Sequence, residues 1–134
     1  MKFNLEHGPG NMIHSYAAGE IKIALGRAAE SPADRPALQV ISVSMILTPA
    51  LLILDWIAQD EALAPQHLRQ ILETQPEIVI LGTGARINFP DPALLAQCQQ
   101  AGVGMEVMDT GAACRTYNVL ASEGRKVCAA FMRI

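Results

Sequence analysis

Cysteine is scarce in this chain and follows no pattern: Cys98, Cys114 and Cys128 are odd in number and widely spaced. That leaves no Cys-x-x-Cys redox or zinc motif and no disulfide framework, and it suits a reducing compartment. His7, His14 and His67 have no metal-ligand spacing with one another or with cysteine, so neither a metal site nor a cofactor is expected. Runs of like charge are missing too. The ten Lys and Arg are scattered and the formal charge is -3, which gives no stripe for phosphates and excludes nucleic acid as a partner. Aromatic residues make up 4%, so Trp56 and Tyr117 read as packing groups rather than stacking platforms. The opening MKFNLEHGPG has no basic region leading into an apolar one and no Arg-rich amphipathic stretch. Neither a secretory nor a transit signal is therefore expected, and the cytoplasm is the expected location.

What is present is apolar material: 51% hydrophobic residues over 134 positions, enough to bury roughly 65–70% of the unfolded surface in one core. A single α/β domain over 1–134 is expected, with no internal repeat and no linker. The stretch 36–54 carries no charge over a length that would nominally span a bilayer. Within it Ile41, Val43, Met45 and Leu47 alternate with Val40, Ser42, Ser44 and Ile46 before Thr48-Pro49 intervenes. That period of two predicts a buried strand over 38–47, a break and another strand over 51–57, with a short helix as the alternative there, and no stable membrane insertion.

Upstream, Ile21, Ile23 and Leu25 alternate with Glu20, Lys22 and Ala24 between two glycines, which predicts a strand with one wet face. Ser31, Pro32, Asp34 and Pro36 make 28–36 a loop. Downstream the pattern alternates. Pro65 opens a helix carrying Leu68, Ile71 and Leu72 and ending before Pro76; a strand follows over 77–81. Asp91-Pro92 starts a helix with Leu94, Leu95 and Cys98, which Gly102 terminates; a strand follows over 103–108. Asp109 or Thr110 caps a helix over 112–122, closed by Gly124 and followed by an interior strand over 126–134. N-terminal strands followed by β-α-β-α-β predict a sheet that is at least partly parallel with helices packed on it.

Ligands of such sheets bind outside the carboxyl ends of the strands. Two loops fall there: Gly82, Thr83, Gly84, Ala85 and Arg86 after one strand, and Asp109, Thr110, Gly111, Cys114 and Arg115 after the next. If the strands are neighbours, the loops share one cleft. The helix start would then form an anion seat with Arg86 and Arg115 as partners. The plainer reading is that the glycines only make tight turns. Gly82-Thr83-Gly84 is followed by Ile87 where a dinucleotide fingerprint needs a third glycine, and no Walker A loop occurs. Cys114, in a first helical turn beside Arg115, has the setting of an activated thiolate, although a buried, inert thiol is the more frequent state of a free cysteine. Asn118 follows one turn later on the same helix face. Asp109-Thr110-Gly111 also spells the aspartic protease triplet, but it runs into a helix, and an N-cap is the favoured role for Asp109.

Two segments carry a resemblance. The run from Pro76 through Ile78-Val79-Ile80-Leu81 to Gly84, and more strongly the run from Gly104 through Asp109-Thr110-Gly111-Ala112-Ala113-Cys114-Arg115-Thr116-Tyr117-Asn118 to Leu120, ending in Ser122-Glu123-Gly124-Arg125, are similar to a family of unknown function. That family includes the third assembly factor of mitochondrial NADH:ubiquinone oxidoreductase and an adipogenesis-associated protein. The resemblance implies a three-layer α/β fold around a mixed sheet and no established catalytic residues. It leaves two functional expectations. The first is a non-enzymatic binding or assembly module for a protein partner, with a shallow, uncharged cleft and an apolar surface patch. The alternative is a small enzyme or ligand-binding domain whose cleft is formed by the loops 82–86 and 109–115.

Overall fold

The computed structural model describes residues 10–26 and 38–134. The loop expected over 28–36 lies outside them. Strands β1 (Met12–Ala17), β2 (Glu20–Ala24) and β3 (Leu38–Ile41) form an antiparallel sheet in the order β1-β2-β3. A second sheet has the order β5-β4-β8-β6-β7, built from β4 (Met45–Leu47), β5 (Leu52–Leu54), β6 (Ile78–Gly82), β7 (Gly104–Met108) and β8 (Val127–Phe131). It is mixed: β8, β6 and β7 run parallel, while β4 is antiparallel to β8 and to β5. The helices among the described residues are α1 (Pro65–Leu72), α2 (Pro92–Gln100) and α3 (Thr110–Ser122).

The layers arise from strand alternation. On one face of the five-stranded sheet Ile80, Val127, Ala129 and Phe131 pack with Ala113, Cys114 and Tyr117 of α3 and with Ile13, Ile21, Ile23 and Ile41 of the small sheet. The opposite face, carrying Val79, Leu81, Cys128 and Ala130, packs on Leu68 and Ile71 of α1, Leu94 and Cys98 of α2, and Trp56. This is the expected three-layer α/β architecture around a mixed sheet, with β8 fully buried inside it. Helices α2 and α3 lie on opposite faces because the chain steps outward from β6 to β7 and then back past β6 to β8. Right-handed crossovers in opposite directions require opposite faces.

The apolar stretch 38–47 departs from expectation. It is not one strand: β3 ends at Ile41 in the small sheet, and β4 begins at Met45 in the other. Ser44 anchors the break. Its Oγ donates to the Ile57 carbonyl at 2.8 Å and accepts from the Ile57 amide at 3.2 Å, while the Asp55 amide donates to the Ser44 carbonyl at 2.7 Å. The strand expected over 51–57 is likewise shortened to Leu52–Leu54, since Asp55 takes a left-handed φ of 59° that leaves the sheet direction. Trp56 then turns inward and donates from Nε1 to the Phe131 carbonyl at 3.0 Å. No helix among the described residues is long and apolar enough to cross a membrane.

The helix termini read locally as they fold. Asp91 accepts from the Ala93 amide at 3.0 Å, and Gly102 sits past the end of α2 at φ 76°. The N-cap of α1 is Ala64, which has no side-chain acceptor; His67 instead reaches back, its Nδ1 accepting the Ala64 amide at 2.9 Å.

Candidate functional site

Strands β6 and β7 are neighbours, with Gly82 opposite Met108. The loops after them diverge to opposite faces of the sheet, the arrangement that opens a crevice in other α/β proteins. Here backbone hydrogen bonds fill it. The Thr83 amide donates to the Met108 carbonyl at 3.0 Å, and the Thr110 amide donates to the Gly84 carbonyl at 2.8 Å. On the other flank the Met132 amide donates to the Gly82 carbonyl at 2.8 Å, and Thr110 Oγ1 to the Arg133 carbonyl at 3.3 Å. The two loops meet, but as a continuation of the sheet rather than as two lips of a cleft.

The glycines have packing reasons. A Cβ on Gly82 would lie 2.8 Å from Cδ1 of the buried Phe131 ring. Gly84 has a φ of 106°, which L side chains rarely adopt. Thr83, 5% exposed, organises the loop beyond: its hydroxyl donates to the Arg86 carbonyl at 2.7 Å and accepts the Asn88 amide at 3.0 Å. Asp109 is the N-cap of α3, accepting the Ala112 amide at 2.8 Å. With Thr110 NH bound to Gly84 and Ala112 NH bound to Asp109, much of the helix start is satisfied internally.

Cys114 is buried, 1% exposed. Loss of solvent raises its thiol from an ordinary 9.0 to about 12, and the opposing pull of Arg115 is the smaller effect. The thiolate favoured by a helix start therefore does not form at neutral pH, because burial outweighs both dipole and neighbour. Asn118 is taken up by the backbone of a neighbouring strand. Its Oδ1 accepts the Ile13 amide at 2.9 Å and its Nδ2 donates to the Ile13 carbonyl at 2.8 Å, clipping α3 to β1.

The ten candidate residues thus divide. Cys114, Arg115 and Asn118 line a groove of about 260 Å³ between α3 and β1. Thr83 lines a cavity of about 420 Å³ on the opposite side, with Glu61, Phe89, Asp91 and Arg133. Gly82, Gly84, Arg86, Asp109, Thr110 and Gly111 line neither, and Arg86 and Arg115 do not share a space.

Several residues were not legible as important. Asn11 is buried and ties three segments: its Oδ1 accepts the Gly26 amide at 2.8 Å and its Nδ2 donates to the Thr48 carbonyl at 3.1 Å, while its own carbonyl accepts the Tyr117 hydroxyl at 2.8 Å. Glu61 accepts the Ala58 amide through Oε1 and sets Oε2 3.4 Å from Nε2 of the buried His67, whose ring stands edge-on to Trp56. Ile87 and Phe89 are 52% and 70% exposed on the loop that Thr83 holds. Only these last two left a signal in the sequence, as apolar residues in a stretch with no strand or helix pattern.

Among curated proteins, NADH dehydrogenase (ubiquinone) 1 alpha subcomplex assembly factor 3 of Danio rerio is 38% identical over 90 residues, 65% of this chain and 51% of that protein. A protein of Francisella tularensis named 13 kDa major membrane protein is 37% identical over 73 residues, 54% of this chain and 59% of that one. The matched part is between half and three-fifths of these relatives' length. An NMR structure of a Xanthomonas campestris protein, 34% identical, superposes with a TM-score of 0.72 over 92% of this chain and 84% of that one. A crystal structure from Bordetella parapertussis, 28% identical, gives 0.73 over 93% and 97%. A family model matches residues 13–132, which takes in both sheets, all three helices and the zipped loops, and the chain belongs to that family, described as protein of unknown function (DUF498/DUF598).

Proposed function

We propose that this chain is a non-enzymatic, assembly-factor-like module, a single α/β domain acting in the cytoplasm. It holds a protein partner at the carboxyl edge of its five-stranded sheet. The observation that carries the reading is the pair Ile87 and Phe89, outward-facing at 52% and 70% exposure on a loop pinned by Thr83. A large apolar side chain left in water forgoes about 1.5–3 kcal/mol of burial, so two of them on one restrained loop suit anchors for another surface. The adjoining cavity of about 420 Å³, which Phe89 itself lines, supplies relief for a partner side chain. The relatives named as assembly factors for NADH dehydrogenase support the same class of role, and they point to a component of a respiratory complex as the partner.

The test is affinity capture with the tagged full chain, comparing wild type with the double variant Ile87→Ser, Phe89→Ser. A matched pair on the outer face of β3, Leu38→Ser with Val40→Ser, serves as comparator. The loop variant should lose its partner by tenfold or more, on the order of what two buried anchors supply, while the β3 variant keeps it. Recovery of no partner above background by the wild type, or equal recovery by the loop variant, overturns the reading.

A further inference from the structure

The groove between β1 and α3 is a separate feature on the other side of the sheet, and its geometry starts with an irregularity in β1. Ile13 pairs with Ile23, but Ser15 pairs with Lys22, so His14 is an extra residue in the strand. This bulge reverses the phase of the rest of β1. Tyr16 falls opposite the buried Ile21 and so points to the inner face, towards α3; in an unbroken ladder Ser15 would stand there. Gly111 makes room for it: a Cβ at that position would lie 3.1 Å from Tyr16 Cε2, 3.2 Å from its hydroxyl and 3.4 Å from Arg115 Nη1. The phenol and the guanidinium therefore meet over the first turn of α3, and Arg115 Nη1 donates to the Tyr16 hydroxyl.

The balance of donors and acceptors in this groove is one-sided. The Tyr16 oxygen accepts from Arg115, which leaves its own O–H to donate. The guanidinium has four further N–H groups, and among the described residues no carboxylate lies within salt-bridge distance of Arg115. The amide of Asn118 is committed to the Ile13 backbone through both its oxygen and its nitrogen. Among the described residues no carboxylate lines the groove, and the acidic residue nearest in sequence on this helix, Asp109, is occupied as its cap. The floor, Ile13 and Cys114, is uncharged, the buried thiol being held in its protonated form. A guanidinium and a phenol over an uncharged floor suit an acceptor with several lone pairs.

We propose that the groove formed by Tyr16, Arg115 and His14 binds the oxyanion head group of a small ligand, a carboxylate or a phosphate. The guanidinium fork and the phenol O–H are the donors, with His14 at the rim. The volume of about 260 Å³ lies just below the roughly 300–1,000 Å³ of sites that enclose whole small molecules, so the groove takes the head group and leaves the remainder of the ligand in solvent.

Titration of the isotopically labelled full chain with inorganic phosphate and, separately, with succinate, followed by amide and arginine side-chain NMR at constant ionic strength held with chloride, tests this. Saturable shifts confined to His14, Ser15, Tyr16, Gly111 and Arg115 are expected with one or both anions. Arg115→Gln should weaken binding by about tenfold or more, and Tyr16→Phe should weaken it by less while keeping the ring that fills the groove wall. Arg125→Gln, which removes a charge outside the groove, should leave the affinity unchanged, and the dispersion of the spectra reports that each variant is folded. Which anion saturates tells carboxylate from phosphate. Shifts that remain linear, that chloride reproduces, or that persist unchanged in Arg115→Gln overturn the proposal.

Discussion

Tyr117 shows how a single side chain can join distant parts of this molecule. Its ring is fully buried between α3 and the strands of the two sheets, and its hydroxyl donates to the carbonyl of Asn11, 106 residues away. Burial also raises its phenol above the ordinary range, so the proton that makes this bond is retained. Tyr117→Phe keeps the volume and leaves a buried carbonyl without its donor, which should cost about 1–3 kcal/mol in urea unfolding. A loss near zero would mean that the Tyr117 hydroxyl bond contributes nothing to the folded core. At the same scale, Asp109 and Asp91 were readable as caps because a cap and its amide lie within three residues. The roles of Tyr117, Asn11 and Asn118 were not, because each bond spans a separation that no local pattern records.

Between elements, the decisive contact is the edge where β6, β7 and β8 finish. Gly82 ends β6 against the fully buried ring of Phe131 on β8, 2.8 Å from where a Cβ would stand. Gly82→Ala should destabilise the fold by about 1–3 kcal/mol through overpacking, as measured by thermal or denaturant unfolding. Gly104, at the start of β7, has nothing within 4 Å of an added Cβ, so Gly104→Ala should be close to neutral. Equal effects of the two substitutions would refute the packing account of Gly82. The alternation in β6 and β8 was legible as strands, and the helix spacing as helices. The serine-bearing break inside 38–47 was not, since Ser42 and Ser44 fit the polar phase of a strand as well as they fit a crossing between sheets.

For the whole molecule, the buried thiols make stability depend on alkaline pH. Burial raises Cys114 from 9.0 to about 12 and Cys128 from 9.0 to about 11, and Tyr117 moves the same way. A raised folded-state value means that the native state holds its protons more tightly than the unfolded chain does. The associated stability is fully present below about pH 9 and is lost as pH climbs towards the folded values. Urea midpoints should therefore be level from pH 7 to about pH 8.5 and fall steadily above pH 9. A midpoint unchanged up to about pH 10.5 would contradict the burial of these groups. Among the described residues every buried side-chain nitrogen or oxygen has a hydrogen-bond partner.

The β-α-β-α-β succession of the C-terminal half, its helix starts and stops, the interior position of β8 and the family likeness were determined by the sequence alone. Each rests on residues within a few positions of one another or on a repeating period. Tertiary structure decided the rest: that the expected crevice is closed by backbone hydrogen bonds, that Cys114 is a neutral core thiol, and that the apolar stretch 38–47 serves two sheets. It also brought Tyr16 and Arg115 together across 99 residues, through one extra residue in β1 that turns the tyrosine inward. Local spacing encodes conformation, whereas burial and long-range partners arise only when the layers pack, and it is packing that sets the chemistry of a buried thiol or of a guanidinium set against a phenol.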